Sequence, residues 1–382
     1  MNWVGSPDFP PSLLFAVLAS GAWIVLILAA DLHRKEKGNT RSLLISFLWG
    51  LSSVLVVIVL YAVAPSPAAR IGSERLAVFV DQVLVVGPVE EFSKFIVFFL
   101  ICWRRRPIQE PLDGMLHAAI VALAFSTVEN VKYGSIYFPE LVILRAVLST
   151  PGHLSYAAVW GFAYVALIYA NPAGRKRDYV VVFFSIFPAA LIHGFSNFLM
   201  TVSLAFGVLF DFALLTAAIV VLSALRRVSP FHAFRLDESA AALSRIEVGL
   251  SARQDSYPLL IRSSLARAAL GDYTGARARL EKCMDIRAGD VFCRALSAAV
   301  LILQGQTEKG EAGLAASYPR LSARQKLTIR RLARHISKRP ARSSNAVNEF
   351  LLSRWIADEE VRRRRSIGRR APAPAPAPAP AP

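Results

Sequence analysis

Long apolar segments in the first 225 residues are the feature that most limits how this chain can fold. A helix needs about 20 predominantly apolar residues to cross the hydrocarbon core of a bilayer. Segments of that length occur at approximately 12–30, 43–64, 78–103, 112–133, 145–170, 179–200 and 203–225. We therefore predict an all-α fold, with a polytopic membrane helix bundle of about seven spans over residues 1–225. The first segment is predicted to be a span rather than a signal peptide, because no Lys or Arg precedes it.

Basic residues are concentrated in the C-terminal part of the chain, whose net charge is +17. Residues 1–225 contain 15 Lys and Arg against 13 Asp and Glu, whereas residues 226–382 contain 29 against 14. Among the predicted loops, those with many basic residues alternate with those that have few. This alternation predicts an integral membrane protein with its N-terminus outside and its C-terminus in the cytoplasm.

The composition excludes two further classes of protein. A chain with so few charges in its first 225 residues is not a DNA-binding protein that is basic throughout. Three cysteines, Cys102, Cys283 and Cys293, are too few for a secreted disulfide scaffold. None of them belongs to a Cys-x-x-Cys pair, so a structural zinc or redox motif of that kind is not expected.

Residues 226–340 are predicted to form a small cytoplasmic helical region with repeat-like character. The residues that recur at a spacing of 34 are Gly271 and Gly305, Ala278 and Ala312, and Leu280 and Leu314. That period is typical of tetratricopeptide helix pairs, in which small residues let two helices approach closely. Such a stack usually binds a protein partner, here a cytoplasmic one; an unspecialised helical hairpin is the alternative.

Residues 341–382 are predicted to be a basic helix followed by a low-complexity tail of six Ala-Pro repeats at 371–382. The simplest interpretation is a solvated helix end with a stiff, polyproline-type extension. Attraction of Arg362–Arg365 to the anionic inner leaflet is the alternative. A nucleic-acid partner is not expected, because aromatic residues are not interleaved with the basic ones.

Charged residues inside the third predicted span are the first sign of a functional site. An ionisable side chain in mid-membrane costs at least about 2.5–3.5 kcal/mol, so it indicates function unless a simple partner explains it. Lys94 follows Glu90 by four residues and Glu91 by three, so it can reach either carboxylate on a helix. One glutamate is then left to accept a proton or hold a water, although a purely structural ion pair remains the alternative.

Three later spans carry further polar residues at a similar depth. Glu129 lies in the fourth span, His153 in the fifth, and His193 shares a helix face with Asn197 in the sixth. Counted from the predicted cytoplasmic ends, the groups lie roughly 18–25 Å into a core of about 30 Å. They can therefore meet in one layer in the outer half of the bilayer. Pairing of Glu129 with Lys132 is the alternative for that residue.

At these positions the chain resembles the PrsW intramembrane proteases, relatives of the type II CAAX prenyl endopeptidases. The matching motifs, in order, are Glu90-Glu91-x-x-Lys94, Phe125-x-x-x-Glu129-Asn130, the isolated His153, and His193-x-x-x-Asn197. Pro88 and Asp113-Gly114 also resemble the family, and the likeness covers roughly residues 75–200. The last motif departs from the family pattern, because Asn197 stands where an acid is common.

The resemblance implies an endopeptidase of a bacterial-type cell membrane that cuts a membrane-anchored protein within the lipid bilayer, as in anti-sigma-factor processing. Glu90 or Glu91 is expected to act as general base, with Lys94 adjusting its proton affinity. His193 and Asn197 are expected to stabilise the oxyanion. By resemblance, Phe125, Glu129, Asn130 and His153 complete the site. If the enzyme depends on zinc, which is possible but not established by the motifs, the expected ligands are Glu129, His153 and His193.

Two other classes of protein remain open from the residues alone. A polar-lined transporter or proton relay would use the same carboxylates and histidines, although no internal inverted repeat is evident. A catalytically silent membrane scaffold would act through its helical tail. Serine or cysteine catalysis is not expected, because Cys102 lies at the cytoplasmic edge and Ser155 has no supporting motif.

Overall fold

A computed structural model describes residues 3–30, 40–63, 66–105, 108–170, 179–232 and 234–337. The basic helix and Ala-Pro tail predicted at 341–382 lie outside the described residues, as does the side chain of Cys102. All regular secondary structure in the described residues is helical, which confirms the predicted fold class. The chain divides into a membrane unit, Met1–His232 with Ser251–Gln254, and a C-terminal unit, Ala233–Leu250 with Asp255–Pro382.

The membrane unit contains ten α-helices among its described residues. They are α1 Phe9–Ala30, α2 Thr40–Gly50, α3 Ser53–Val63, α4 Glu74–Val80, α5 Gly87–Arg105, α6 Pro111–Ile136, α7 Leu141–Leu148, α8 Thr150–Ala170, α9 Tyr179–Val202 and α10 Leu204–Val228. A π-helical turn, Asp81–Val86, joins α4 to α5 without a break. The second predicted span is divided at residues 51–52 into α2 and α3, and the fifth begins in α7 and continues as α8.

Five helical segments of the described chain are long and apolar enough to cross a membrane, so the chain is a membrane protein. They are Phe9–Ala30, Thr40–Val63, Pro111–Ile136, Phe184–Val202 and Leu204–Val228. The other two predicted spans also form helices and carry polar residues, including Glu90, Glu91 and Lys94 in one and His153 in the other. The count of seven spans therefore stays a prediction.

Helix α6 is the central element of the membrane unit, since most of its residues are buried. It starts with a capping box, in which the Asp113 carboxylate accepts hydrogen bonds from the backbone N–H groups of Gln109 at 2.8 Å and Glu110 at 3.2 Å. Asp113 is fully buried. This residue, one of those that resembled the protease family, therefore stabilises a helix N-terminus.

A close approach of backbones positions α5 against α9. A methyl group added at Gly87 would collide with the carbonyl of Ala190, and one added at Gly194 would collide with the carbonyl of Gln82. Only glycine fits at these two positions, because α5 and the π-helical turn before it meet α9 there without intervening side chains. The contact brings the first turn of α5, which carries Glu90, beside His193 on α9.

The C-terminal unit is built from helical hairpins. Its helices are α11 Ser239–Ala252, α12 Tyr257–Leu270, α13 Tyr273–Ile286, α14 Val291–Leu303, α15 Thr307–Ser317 and α16 Ala323–Ser337. Gly271 and Gly305 end α12 and α14 with positive φ angles of 90° and 89°, a conformation that favours glycine. The spacing of 34 residues therefore separates two helix ends of the same kind, one in each of two successive hairpins.

The small residues at the helix contacts are not the ones that the sequence pattern suggested. Ala278 and Ala312 are exposed, whereas Ala276 and Gly310, also 34 residues apart, are buried. The remaining pair of the pattern, Leu280 and Leu314, is fully buried in both hairpins. The tetratricopeptide assignment stays a prediction.

Candidate active site

Glu91 is a completely buried carboxylate with a donor on each side. Its Oε1 accepts a hydrogen bond from Lys94 Nζ at 2.7 Å and lies 2.9 Å from His193 Nδ1. Its Oε2 accepts a hydrogen bond from Trp160 Nε1 at 2.8 Å. Three donors from α5, α8 and α9 therefore satisfy this carboxylate, and they tie its charge to the surrounding helices.

Glu90 is buried beside it but has a different environment. Its Oε2 lies 3.6 Å from Lys94 Nζ and 3.8 Å from His193 Nε2, and it makes no hydrogen bond with any described residue. A buried carboxylate oxygen without a hydrogen-bond donor is costly to maintain. Glu129 Oε2 also lacks a hydrogen bond, but its ion-pair partners lie at 3.0 Å. Of these two oxygens, Glu90 Oε2 is therefore the more available to a water, a proton or a cation.

Lys94 connects the two glutamates with the fifth predicted span. Its ammonium is fully buried and lies 3.1 Å from His153 Nδ1. It also sits 4.2 Å from the centre of the Phe125 ring, a cation–π contact that uses the aromatic residue of the second motif. The ammonium therefore has four neighbours that favour its charge or accept its protons.

His153 is held from both of its nitrogen atoms. Because the Lys94 ammonium can only donate, His153 Nδ1 is the acceptor in this contact. The ring proton is then on Nε2, which lies 3.0 Å from Glu129 Oε2. Glu129 also pairs with Arg145 Nη2 at 3.0 Å. Lys132, the partner considered for Glu129, instead lies over the ring of Tyr133. The predicted polar groups of α6 and α8 therefore belong to one network with those of α5.

Asn130 orients the arginine of this network. Its Oδ1 accepts a hydrogen bond from Arg145 Nε at 2.8 Å, and its Nδ2 donates to Thr150 Oγ1 at 3.1 Å. Asn130 therefore acts on Glu129 through Arg145. Asn197 is half-buried, as Glu129 is, but its side chain makes no hydrogen bond with another described residue.

Sequence reasoning missed four residues of the cluster. Arg145, Tyr156 and Trp160 contact Glu129, His193 and Glu91 respectively. Nothing in the local sequence distinguishes Tyr156 and Trp160. Arg145 and Asp211 are different, because each is a charged residue within an apolar segment, and the criterion that selected Glu90 would also have selected them.

One group of side chains has the geometry of a metal site. Single donor atoms of Glu90, His153 and His193 lie within 4.8 Å of one another. The carboxylate in this group is Glu90, whereas the sequence analysis expected Glu129. Glu91 holds Nδ1 of His193 and leaves Nε2 free, the arrangement usual for histidines that bind metals. With the partnerless oxygen of Glu90, these donors fit a divalent cation, although Lys94 occupies Nδ1 of His153.

Comparisons with known proteins agree with the motifs. The family described as "PrsW family intramembrane metalloprotease" matches residues 38–225, which include the whole cluster. The chain is 30% identical over 199 residues to the protein named Protease PrsW of Shouchella clausii, covering 50% of this chain and 84% of that one. It is 24% identical over 189 residues to its namesake from Oceanobacillus iheyensis, covering 49% and 84%. No solved structure matches the chain.

Proposed function

This chain belongs to the PrsW family of intramembrane proteases, and on that basis we propose that its buried cluster hydrolyses a membrane-anchored protein with Glu90 as general base. The observation that carries the proposal is the Oε2 atom of Glu90, which is buried without a hydrogen-bond donor beside His193. A general base must reach a water directly, and this oxygen has the free lone pairs to do so.

The two glutamates are proposed to have different roles. Glu91 receives donors from Lys94, Trp160 and His193, so its lone pairs are already engaged and its role is to orient these groups. Glu90 Oε2 lies 3.6 Å from Lys94 Nζ and makes no hydrogen bond with it. At this distance the ammonium stabilises the negative charge of Glu90 without occupying the lone pairs of the oxygen. This division is our proposal for the choice between Glu90 and Glu91, which the sequence left open.

We assign the attacking water to the space between Glu90 and His193. Because Glu91 holds Nδ1–H of His193, Nε2 is an acceptor that faces Glu90 Oε2 at 3.8 Å. A single water can donate one proton to each of these atoms, which aligns its lone pair for attack on a carbonyl carbon. Glu90 then takes up the proton that the water loses.

The developing oxyanion needs a separate donor, for which we propose the Asn197 amide. Its side chain lies one helical turn after His193 and has no hydrogen-bond partner in the described chain. A neutral amide can donate to an oxyanion as it stands, whereas a carboxylate would first have to gain a proton. His153, held by Glu129 and Arg145, is proposed to keep Lys94 in place.

A metal-dependent version is the second candidate, favoured by the grouping of Glu90, His153 and His193 within 4.8 Å. In that version these three residues would hold the ion, which would supply Lewis-acid polarisation of a bound water. Glu91 would orient His193, and Glu129 would orient His153. Metal analysis of the purified protein, with cleavage measured before and after chelation, separates the two versions.

The substrate is proposed to be a membrane-anchored protein of the anti-sigma-factor kind, cut near its extracytoplasmic side. The predicted depth of the cluster, in the outer half of the bilayer, supports this choice of cleavage level. The proposed orientation, with the N-terminus outside and the C-terminus in the cytoplasm, follows from the distribution of basic residues in the loops.

The deciding experiment compares three variants on a membrane-anchored anti-sigma-factor reporter in detergent. We expect Glu90→Gln to lose cleavage by about 100- to 10,000-fold, the usual range for removal of a general base. Glu74→Gln, an exposed acid on α4, is the matched control and is expected to cleave normally. Full activity of folded Glu90→Gln, together with loss of activity in folded Glu91→Gln, would assign the base to Glu91 instead.

A further inference from the structure

Asp211 is an acid that the proposed mechanism does not use. It lies in the middle of α10, an apolar helix in which only Gly207 and Asp211 are buried. Its side chain is 1% exposed, whereas the large apolar residues around it, such as Leu209 and Phe212, are exposed on the surface of the unit. An acid in such a helix is costly and therefore indicates a specific role.

Asp211 connects three helices through one of its oxygen atoms. Its Oδ1 accepts a short hydrogen bond from the hydroxyl of Tyr156 on α8 and another, of 2.6 Å, from Ser196 Oγ on α9. Tyr156 in turn stacks on the imidazole of His193, with ring centres 4.6 Å apart and planes inclined by 18°. Asp211 therefore holds the ring that defines one face of His193.

The other oxygen of Asp211 lies under the residue that precedes His153. A methyl group added at Gly152 would collide with Asp211 Oδ2 and with the hydroxyl of Tyr156. Gly152 is therefore required to make room for the acid. Within the described chain Oδ2 has no hydrogen-bond partner. Asp211 thus touches the segments that carry both histidines of the cluster.

We propose that Asp211 is a positioning residue that sets the orientation of His193 and the placement of His153. It acts on His193 through the ring of Tyr156, and on His153 through its contact with Gly152. It does not touch the reacting atoms: among the described residues it belongs to no group that could hold a metal. The inference rests on the proposed function, because it assumes that the two histidines serve the reaction.

The role requires an acceptor for the Tyr156 hydroxyl more than it requires a negative charge. Asparagine keeps the acceptor oxygen and nearly the same shape, whereas alanine removes both. Phenylalanine at position 156 keeps the stacked ring but removes the hydroxyl that anchors it. These substitutions separate anchoring of the ring from packing of α10, because Tyr156→Phe changes a single oxygen atom.

The test measures kcat and KM of full-length variants in detergent on the membrane-anchored reporter, together with thermal unfolding. We expect Asp211→Ala and Tyr156→Phe each to lower kcat by about 10- to 100-fold with KM nearly unchanged, because the histidine is displaced from its working position. Asp211→Asn should recover most of the lost kcat. The double variant Tyr156→Phe/Asp211→Ala should be no slower than Asp211→Ala alone, since both act on one contact.

Several results would overturn the inference. Wild-type kcat in both Asp211→Ala and Tyr156→Phe would show that the contact does not position His193. Multiplying effects in the double variant would show that the two residues act separately. If Asp211→Ala does not fold, Tyr156→Phe alone decides. Glu90→Gln is measured in parallel: if it cleaves at the wild-type rate, Glu90 is not the base and the proposed mechanism fails. If it is inactive while Asp211→Ala and Tyr156→Phe cleave at the wild-type rate, only this inference fails.

Discussion

The charged clusters of the two units are made of similar residues in opposite surroundings. In the C-terminal unit, both oxygens of Glu247 pair with arginines, Arg267 at 3.1 Å and Arg279 at 2.7 Å, and all three side chains are 23–31% exposed. In the membrane unit, Glu91 and Lys94 pair at 2.7 Å with no exposure at all.

The two clusters differ in what they contribute to the stability of the fold. Exposed ion pairs contribute roughly 0–1 kcal/mol and can be replaced easily, because water competes for the same charges. A buried pair loses its hydration, and apolar residues could often stabilise the fold as well or better. The membrane cluster also keeps Glu90, whose oxygen has no donor. An arrangement so unfavourable for stability is expected where chemistry requires it.

The largest effect is expected from breaking the buried pair. Lys94→Met leaves the charge of Glu91 with two of its three donors, so we expect destabilisation by about 3–5 kcal/mol and loss of cleavage. Thermal unfolding in detergent and cleavage of the reporter measure the two effects. Lys132→Met, which removes an exposed ammonium from α6, is the matched control. Equal damage from both substitutions would mean that burial of the ammonium does not determine the cost of losing it.

A smaller effect is expected from separating α5 and α9. Gly194→Ala places a methyl group against the backbone of Gln82 and Val83, so the helices must move apart and lengthen the contacts of His193. Overpacking of this kind typically costs about 1–3 kcal/mol, and we expect cleavage to fall at least tenfold. Gly21→Ala in α1, where a methyl group meets nothing within 4 Å, is the control. Normal cleavage in Gly194→Ala would show that the site tolerates this displacement.

Substitution of Glu247 is expected to have a modest effect that is confined to stability. Glu247→Gln weakens the pairs with Arg267 and Arg279, and we expect a loss of about 1 kcal/mol or less, because these side chains are partly hydrated. Cleavage of the reporter should stay at the wild-type rate. A loss of cleavage at unchanged stability would refute the separation of roles between the two clusters.

The smallest effect concerns Asp272, which caps α13. The hydrogen bond from the backbone N–H of Gly275, at 2.8 Å, and the pair with Arg267 hold the pKa of this carboxyl below its usual value. Because the folded pKa is the lower one, the stabilisation is present above the unfolded pKa near 3.9 and is lost as the pH falls through the folded pKa. Asp272→Asn keeps the cap without titrating. Between pH 7 and about pH 3, the midpoint temperature of thermal unfolding should therefore fall more steeply in the wild type than in Asp272→Asn.

Much of the site could be predicted from the sequence, because its residues lie in segments where any charge is conspicuous. Glu90, Glu91, Glu129 and His193 were selected in this way, and the structure brings them into one buried network. Asp211 met the same criterion and was missed because no motif of the family includes it. Trp160 and Tyr156 could not have been found, since tryptophan and tyrosine are ordinary residues in a membrane helix.

The sequence by itself determined the helical class, the membrane-spanning character and the family, because apolar length and motif spacing are properties of the local chain. The tertiary structure decided which of the two glutamates has an oxygen without a hydrogen-bond donor. Glu90 and Glu91 are neighbours with the same side chain, and only the donors supplied by Trp160 and His193 from distant helices distinguish them. It also decided that Asp113 caps a helix while Asp211 reaches the site, because burial and hydrogen bonding depend on what packs around a residue.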